Sequence, residues 1–576
     1  MVASLGLRYI AVFTFCIFTL PCLSFTALAQ STPPAGVTIP PQTPDTVDQT
    51  TPKPTQSPTP PSIKPSPPRI LTPPQNPPDT TFPLGESFLV KKIEVLGNTV
   101  LIEEITKLKH SLENKQVTFA DLIQLRSQIT ELYIKNGYIN SGAFLPSNQI
   151  IDKNGAVVQI QIVEGELEDI VISGLTSLQP GYVRSRLQRA ATTPLNQKRL
   201  EEALQLLQLD PLIQRVNAEL IAGSSPGQNI LQVKITQAPA FYAGVFVDNN
   251  QSPSIGSTEA GVFIAHDNLL GFGDRFSAEY SITSGLNLYD INYTVPVNSL
   301  NGTVSLRVNN GDSRIIEPEF RDLDIRSETQ TYSVALRQPL YRSPQTEFAV
   351  GLALDLRRSQ TFLLDDIPFS FSQGPENGES KVTVIRFSQD WVDRNATRVL
   401  AARSQFSLGI GAFDATVNSS GTDGRFFAWL GQFQWVQRLS PRTLLLTRVN
   451  AQLTPDLLLS LERFSLGGVD TVRGYRQNQS VADNGITASA EVRIPLTSNS
   501  NTLQLAPFFD IGTAWNNRQT NPDPQTIASL GLGLLWQPSR DLNLRLDYGI
   551  PLIGVDNPGN TLQDNGLYFS LRYQPF

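Results

Sequence analysis

Along this 576-residue chain the spacing of apolar side chains changes character three times. One unbroken apolar block, "YIAVFTFCIFTL" (Tyr9–Leu20), stands near the start. Residues 31–83 then show no period at all. Regular patterning begins at Phe88. "FLVKKIEVLG" reads as a strand, and "VLIEEITKLKHSLE" and "TFADLIQLRSQITELYIKNGY" read as helices. In the second helix Phe119, Leu122, Ile123, Ile129, Leu132 and Tyr133 share one face, with Gly137 as the stop. "GAFLP" and "AVVQIQIVEG" follow as two strands around an "IDKNG" turn. The same β-α-α-β-β order then returns. "LEDIVISG" is followed by helices "PGYVRSRLQRA" and "NQKRLEEALQLLQL", the latter with Leu200, Ala203, Leu204 and Leu207 inward, and by strands "LIQRVNAELIAG" and "NILQVKITQ". Two successive α/β units of similar size form an internal repeat.

From Phe241 onward the period is two. In "RFSAEYSI", Phe276, Ala278, Tyr280 and Ile282 alternate with Arg275, Ser277, Glu279 and Ser281, and "YDINYTV", "TVSLRV", "YSVALR" and "ITASAEVRI" behave alike. Soluble sandwiches also alternate, so connection length must decide. Short connections rich in Pro, Ser and Gly occur at "DNLLGFGD" and near Pro296, Pro339, Val392, Pro441, Pro495 and Pro538. Between them lie longer polar connections, among them 309–328, 358–380, 454–484 and 550–566. Eight loops at one rim and seven turns at the other predict sixteen antiparallel strands closing at "GLYFSLRYQPF". That asymmetry is the mark of a transmembrane barrel.

Composition narrows the reading further. Charged residues make up 17% and the net charge is −7, without the basic excess of a nucleic-acid binder. No stretch beyond the N-terminus has the ~18 consecutive apolar residues of a membrane helix, so a membrane-spanning chain of this kind must close as a barrel. Arg8, the apolar block and Ala27-Leu28-Ala29 read as a signal peptide cleaved after Ala29. Cys22 leaves open a lipoprotein reading, which Pro21 fits poorly. Both cysteines, Cys16 and Cys22, lie in that removed segment, so disulfides do not hold the mature chain. Residues 31–83 carry 18 of the 42 prolines; such a segment buries too little apolar surface to fold and reads as a spacer, or as a ligand for a proline-recognition domain.

Chemistry is sparse. His110 and His266, the only histidines, fall in different units, which leaves little for a metal site or a Ser-His-Asp triad. Phosphate-loop and dinucleotide motifs are missing, and Asp365-Asp366 reads as loop decoration. The chain reads as a non-enzyme with no cofactor and no nucleic-acid partner. One segment stands out, "DTVRGYRQ" (Asp470–Gln477), within the longest irregular stretch of the second half. In "TLQLAPFFDIG", Leu503, Leu505, Phe509 and Ile511 face lipid, while Gln504, Phe508, Asp510 and Gly512 face the lumen. An arginine fork and a shielded carboxylate make a strong bidentate pair, so Arg473 is a candidate partner for Asp510. The residues alone leave open a solvated Arg473 and an Asp510 that merely hydrates the lumen.

"FSLGG" (Phe464–Gly468) with "VRGY" (Val472, Arg473, Gly474, Tyr475) and the F-x-D-x-G of Phe508, Asp510 and Gly512 resembles the BamA/two-partner-secretion superfamily. There these are the tip of the sixth extracellular loop and its docking strand, the thirteenth. The α/β repeats resemble its periplasmic POTRA domains, and "YIKNGYINSGAFLPSNQ" resembles the first POTRA of the transporters. The resemblance implies a mainly β fold: a 16-stranded antiparallel transmembrane β-barrel preceded by two periplasmic α/β POTRA domains. The expected organisation is signal peptide 1–29, Pro-rich linker 30–84, POTRA 1 at 85–165, POTRA 2 at 166–237 and barrel 238–576.

Room for two POTRA units points to the two-partner secretion transporters (TpsB; ShlB/FhaC/HecB type), since the general assembly proteins carry more. The implied activity is ATP-independent export of an unfolded TpsA-like adhesin or hemolysin-like client. The implied partners are that client, outer-membrane lipid and the barrel assembly machinery that inserts this chain. An outer-membrane insertase is the alternative; a diffusion porin would not need POTRA units. The edge Gly142, Ala143, Phe144 and Leu145, with its neighbouring helix, is the candidate client-binding strand. Arg275, Glu279, Glu491, Arg493 and Asp510 are expected to line a polar lumen. One departure from some family members is the absence of helical period in 30–84, where those members carry a plug helix.

Overall fold

The computed structural model describes residues 37, 87–147, 149, 155–364, 366–419, 421–499, 502–555 and 559–576. The signal-peptide reading, and the Pro-rich segment apart from Val37, lie outside the described residues, as do most of the "IDKNG" turn and Asp365.

The first α/β unit places strand Phe88–Leu96 parallel to Ala156–Val163, with Gly142–Phe144 antiparallel at one edge and Lys115–Val117 at the other. Lys115–Val117 escaped the sequence reading because three residues are too few to set a period. Helix Phe119–Lys135 starts at a capping box, in which the Thr118 hydroxyl accepts from the Asp121 N–H and the Asp121 carboxylate accepts from the Thr118 N–H. Leu122, Leu125, Ile129 and Tyr133 form its buried stripe. Phe119, expected on that face, is 48% exposed: it is the first helical residue, ahead of the first turn that meets the sheet, and Leu125 takes the inward position.

The second unit repeats the layout. Glu166–Ser173 runs parallel to Gln228–Gln237, which pairs antiparallel with Ile213–Ala222. Leu200, Leu204 and Leu207 of helix Gln197–Gln208 pack into its core beside Val183 and Leu187 of helix Pro180–Gln188. Gln179 N–H donates to the Gly271 carbonyl (2.9 Å), which seats this unit on the first turn of the barrel.

Sixteen antiparallel strands from Phe241–Asp248 to Leu567–Tyr573 close the barrel. Outward positions such as Val262, Ile264, Tyr289, Ile291, Leu530 and Leu532 are apolar and exposed, as a lipid-facing wall requires. Pro339 and Val392 lie within strands rather than in the adjoining turns. At Pro339 the register with the next strand shifts, as expected where a ladder N–H is missing. Three successive strands, Arg326–Arg342, Thr346–Leu363 and Glu379–Arg394, have 17, 18 and 16 residues, longer than the ~9–11 that cross a bilayer. The closing seam is short: Leu567–Tyr573 meets Phe241–Asp248 over four register pairs. Asn249 extends it with its side chain, donating to the Leu567 carbonyl (2.9 Å) and accepting from the Phe569 N–H (2.7 Å).

Candidate functional site

The sixth outer loop, residues 454–483, leaves strand Leu444–Leu453 and forms a small hairpin of Phe464–Leu466 against Ser480–Ala482. Its tip carries Val472, Arg473, Gly474 and Tyr475, all buried against the inner wall. Arg473 is 4% exposed and Asp510 1%. The guanidinium meets Asp510 side-on, Nε to Oδ2 at 2.8 Å and Nη2 to Oδ1 at 3.0 Å, while the Arg473 N–H also donates to Oδ2 (3.2 Å). Nη1 reaches Glu491 Oε2 (2.9 Å) and Asp547 Oδ1 (3.4 Å). The Phe508 ring lies beneath, its centroid 3.4 Å from the guanidinium carbon.

Asp510 belongs to the thirteenth barrel strand, Leu503–Trp515, Glu491 to the twelfth and Asp547 to the fifteenth. Three strands thus converge on one cation. Arg545 bridges Glu491 (2.6 Å) and Asp547 (2.6 Å), and Arg493 holds the other oxygen of Glu491 (2.8 Å). Three guanidinium groups and three carboxylates therefore compensate one another, with Arg473 and the carboxylates buried and Arg493 and Arg545 partly exposed. Among the buried members such bonds are stronger and an unpaired one is costly.

Each motif position has a physical reason. Phe508, Asp510 and Gly512 point inward because a strand alternates. Phe508 supplies the π face and Asp510 the fork acceptor. At Gly512 a Cβ would overlap Leu466 Cδ1 and crowd Val472, so glycine makes room for the loop. Gly474 adopts φ +96° and lies on the Gly549 backbone, where a Cβ would meet the carbonyl carbon at 3.1 Å. The Tyr475 hydroxyl donates to the Ala528 carbonyl (2.8 Å) and accepts from the Ile553 N–H (3.2 Å). Tyr568, on the last strand, accepts from the Gly474 N–H (3.1 Å) and donates to the Tyr475 carbonyl.

Of the expected lumen residues, Glu491, Arg493 and Asp510 join this network. Arg275 pairs instead with Asp267 (3.1 Å) at the periplasmic end, and Glu279 lies on the same distant strand.

A second anchor was not evident in the sequence. Glu462, at the start of the same loop, is held by Arg386 Nη2 (2.8 and 3.0 Å) and Arg357 Nη1 (2.6 Å) from the eighth and seventh strands. Asp355 takes the Arg386 Nε (2.6 Å). The inward alternation of Asp355 and Arg357 was the available signal; nothing local pointed to Glu462. Arg476 adds a third tie, to Asp564 of the eighth loop (2.8 Å) and Glu317 of the third (3.0 Å). The loop is thereby strapped from one side of the barrel to the other. Val37 packs nearby, against an apolar cluster of the third and fourth loops that includes Ile315, Phe320 and Phe369.

Gly142–Phe144 is an edge strand with Phe144 44% exposed, and Leu145 packs against the core just beyond it. The Ala143 N–H donates to Thr130 Oγ1 of helix Phe119–Lys135 (3.1 Å).

A closed sixteen-stranded barrel with a loop strapped inside it, behind α/β units of the POTRA kind, defines an outer-membrane protein of the POTRA-barrel class. Residues 227–535 match the family "Haemolysin secretion/activation protein ShlB/FhaC/HecB", and residues 88–165 match the "POTRA domain, ShlB-type". The chain belongs to this haemolysin secretion/activation family of two-partner secretion outer-membrane transporters, with its POTRA units in the periplasm. Among its relatives are the outer membrane transporter CdiB of Dickeya dadantii, 23% identical over 81% of this chain and 83% of that protein, and the heme/hemopexin transporter protein HuxB of Haemophilus influenzae, 22% identical over 84% and 87%. The solved structure of CdiB from Escherichia coli shares the fold, with a TM-score of 0.64 and 22% identity over 87% of this chain and 92% of that one.

Proposed function

We propose that this chain captures one large unfolded partner protein in the periplasm and passes it through the barrel to the cell surface without ATP. The observation that carries this reading is the sixth-loop tip held inside the barrel by Arg473 on Asp510. A passive pore gains nothing from a strap across its lumen. A translocator gains a defined resting state that an entering client can displace or follow.

The client is an exoprotein of the TpsA kind, adhesin- or hemolysin-like. It is engaged at the edge Gly142–Leu145 by strand addition, in which it takes over the Ala143 N–H from the Thr130 hydroxyl and covers Phe144. An edge so short and so partly satisfied holds an extended chain weakly, as suits a substrate that must be released. Charged inner-wall residues give the client a polar path, and its folding outside biases movement outward. The chain's own barrel enters the lipid bilayer through the barrel assembly machinery.

The test is deletion of this protein followed by quantitative proteomics of medium and outer membrane. The expected result is loss of one or a few large exoproteins with other barrels unchanged. A general fall of outer-membrane barrels would refute the reading.

A further inference from the structure

A cavity of about 220 Å³ lies at the periplasmic rim, where the two helices of the second POTRA unit meet the barrel's second and third turns. Four arginines line it, Arg186, Arg189, Arg199 and Arg342, against two carboxylates, Glu202 and Asp210. Asp210 is already occupied by the Tyr182 hydroxyl (2.8 Å) and the Leu212 N–H (3.0 Å). Arg342 is matched by Glu347 (3.1 Å).

Arg186 is not matched. Its guanidinium carbon sits 3.3 Å from the Tyr182 ring centroid, Nε donates to Asn301 (2.9 Å) and Nη1 to the Tyr182 carbonyl (2.8 Å). Its Nη2 is buried with no acceptor among the described residues. Burial pushes its proton affinity below the usual arginine range. Asp210 attracts this guanidinium without an ion-pair contact among the described residues. A buried guanidinium nitrogen left without an acceptor is costly, so an anion fits there.

The surroundings say which anion. Val297, Leu340 and Tyr341 stand exposed on the outer face of the barrel, within a few residues of Leu300 and Arg342 in the cavity wall. Apolar side chains at that height meet acyl chains, and an aromatic there marks the membrane interface. The cavity is smaller than the ~300–1,000 Å³ of whole-ligand sites. It suits a headgroup whose tails remain outside.

We propose that this arginine cavity binds the phosphate of an anionic membrane phospholipid, tying the second POTRA unit to the inner leaflet. Arginine forks suit phosphate oxygens, and basic pockets at a membrane face bind anionic headgroups.

The test uses the full chain, delipidated in non-ionic detergent and titrated with phosphatidylglycerol under native mass spectrometry. The wild type should retain one phosphatidylglycerol and not the matching diacylglycerol. Arg186→Gln should weaken retention about tenfold, the loss of one charge-assisted contact. Because Arg186 also ties helix Pro180–Gln188 to Asn301, Arg199→Gln on the exposed rim serves as the second variant, and it should weaken retention roughly fivefold. Wild-type retention by both variants would overturn the proposal. So would release of the lipid by low-millimolar inorganic phosphate, which would make this a free-phosphate site, or competition by an acidic peptide, which would assign the cavity to the client path.

Discussion

Replacing Arg473 with alanine separates the loop from the barrel without touching the barrel's own ladder. The substitution leaves Asp510, Glu491 and Asp547 buried with one guanidinium fewer among them, and Phe508 without its cation. Removing one partner of a buried ion pair costs about 3–5 kcal/mol. Arg545 and Arg493 still compensate Glu491 and Asp547, so the loss concentrates on Asp510. At 1.4 kcal/mol per factor of ten, the docked state of the loop tip should lose roughly two to three and a half powers of ten in population. The hydrogen bonds of the sixteen strands are unaffected, so barrel insertion should persist. The assay pairs secreted client, normalised to heat-modifiable barrel in the outer membrane, with maleimide labelling of Val472→Cys. Both native cysteines, Cys16 and Cys22, lie in residues 1–29, and replacing both with serine leaves the engineered thiol alone. Val472, fully buried in the docked loop, should label slowly beside Arg473 and quickly beside alanine. Arg473→Lys should give an intermediate result, because an ammonium keeps the charge and loses the fork. Normal export by a well-inserted Arg473→Ala protein would refute the argument.

Other perturbations probe the same strap. Glu462→Gln removes the carboxylate shared by Arg357 and Arg386, and it should cut export with the barrel still inserted. Combined with Arg473→Ala it should cost less than the sum of the two, since one loop is released in both; full additivity in the labelling assay would separate the anchors. Gly512→Val places methyl groups where Leu466 and Val472 now lie, and overpacking of about 1–3 kcal/mol should speed labelling at the tip while Asp510 is kept. Tyr475→Phe leaves the Ile553 N–H without its acceptor and takes one of two donors from the Ala528 carbonyl, which keeps the Leu552 N–H (2.8 Å). It should destabilise docking by about 1–3 kcal/mol, read as partial loss of export.

Much of the architecture was legible from local pattern. Strand alternation is a property of each residue's immediate neighbours, so Phe509 and Ile511 could be assigned to lipid and Asp510 to the lumen from the strand alone. Turn lengths ordered the loops, and the strand count followed. Local pattern failed where an element was too short to show a period, as at Lys115–Val117, or where position within a turn mattered more than helical face, as at Phe119.

What faces what across the lumen was decided by the tertiary structure. Closing the ring brought the twelfth, thirteenth and fifteenth strands around one point, and only then did Glu491, Asp547 and Arg545 become partners of the Arg473–Asp510 pair. Glu462 shows the limit most plainly. Its partners Arg357 and Arg386 lie 105 and 76 residues away, and no local period carries that separation. Sequence determines the face on which a side chain stands, because backbone geometry is local. A buried charge finds its counter-charge only through the register and closure of the whole barrel, because Coulomb attraction depends on distance in space and not along the chain.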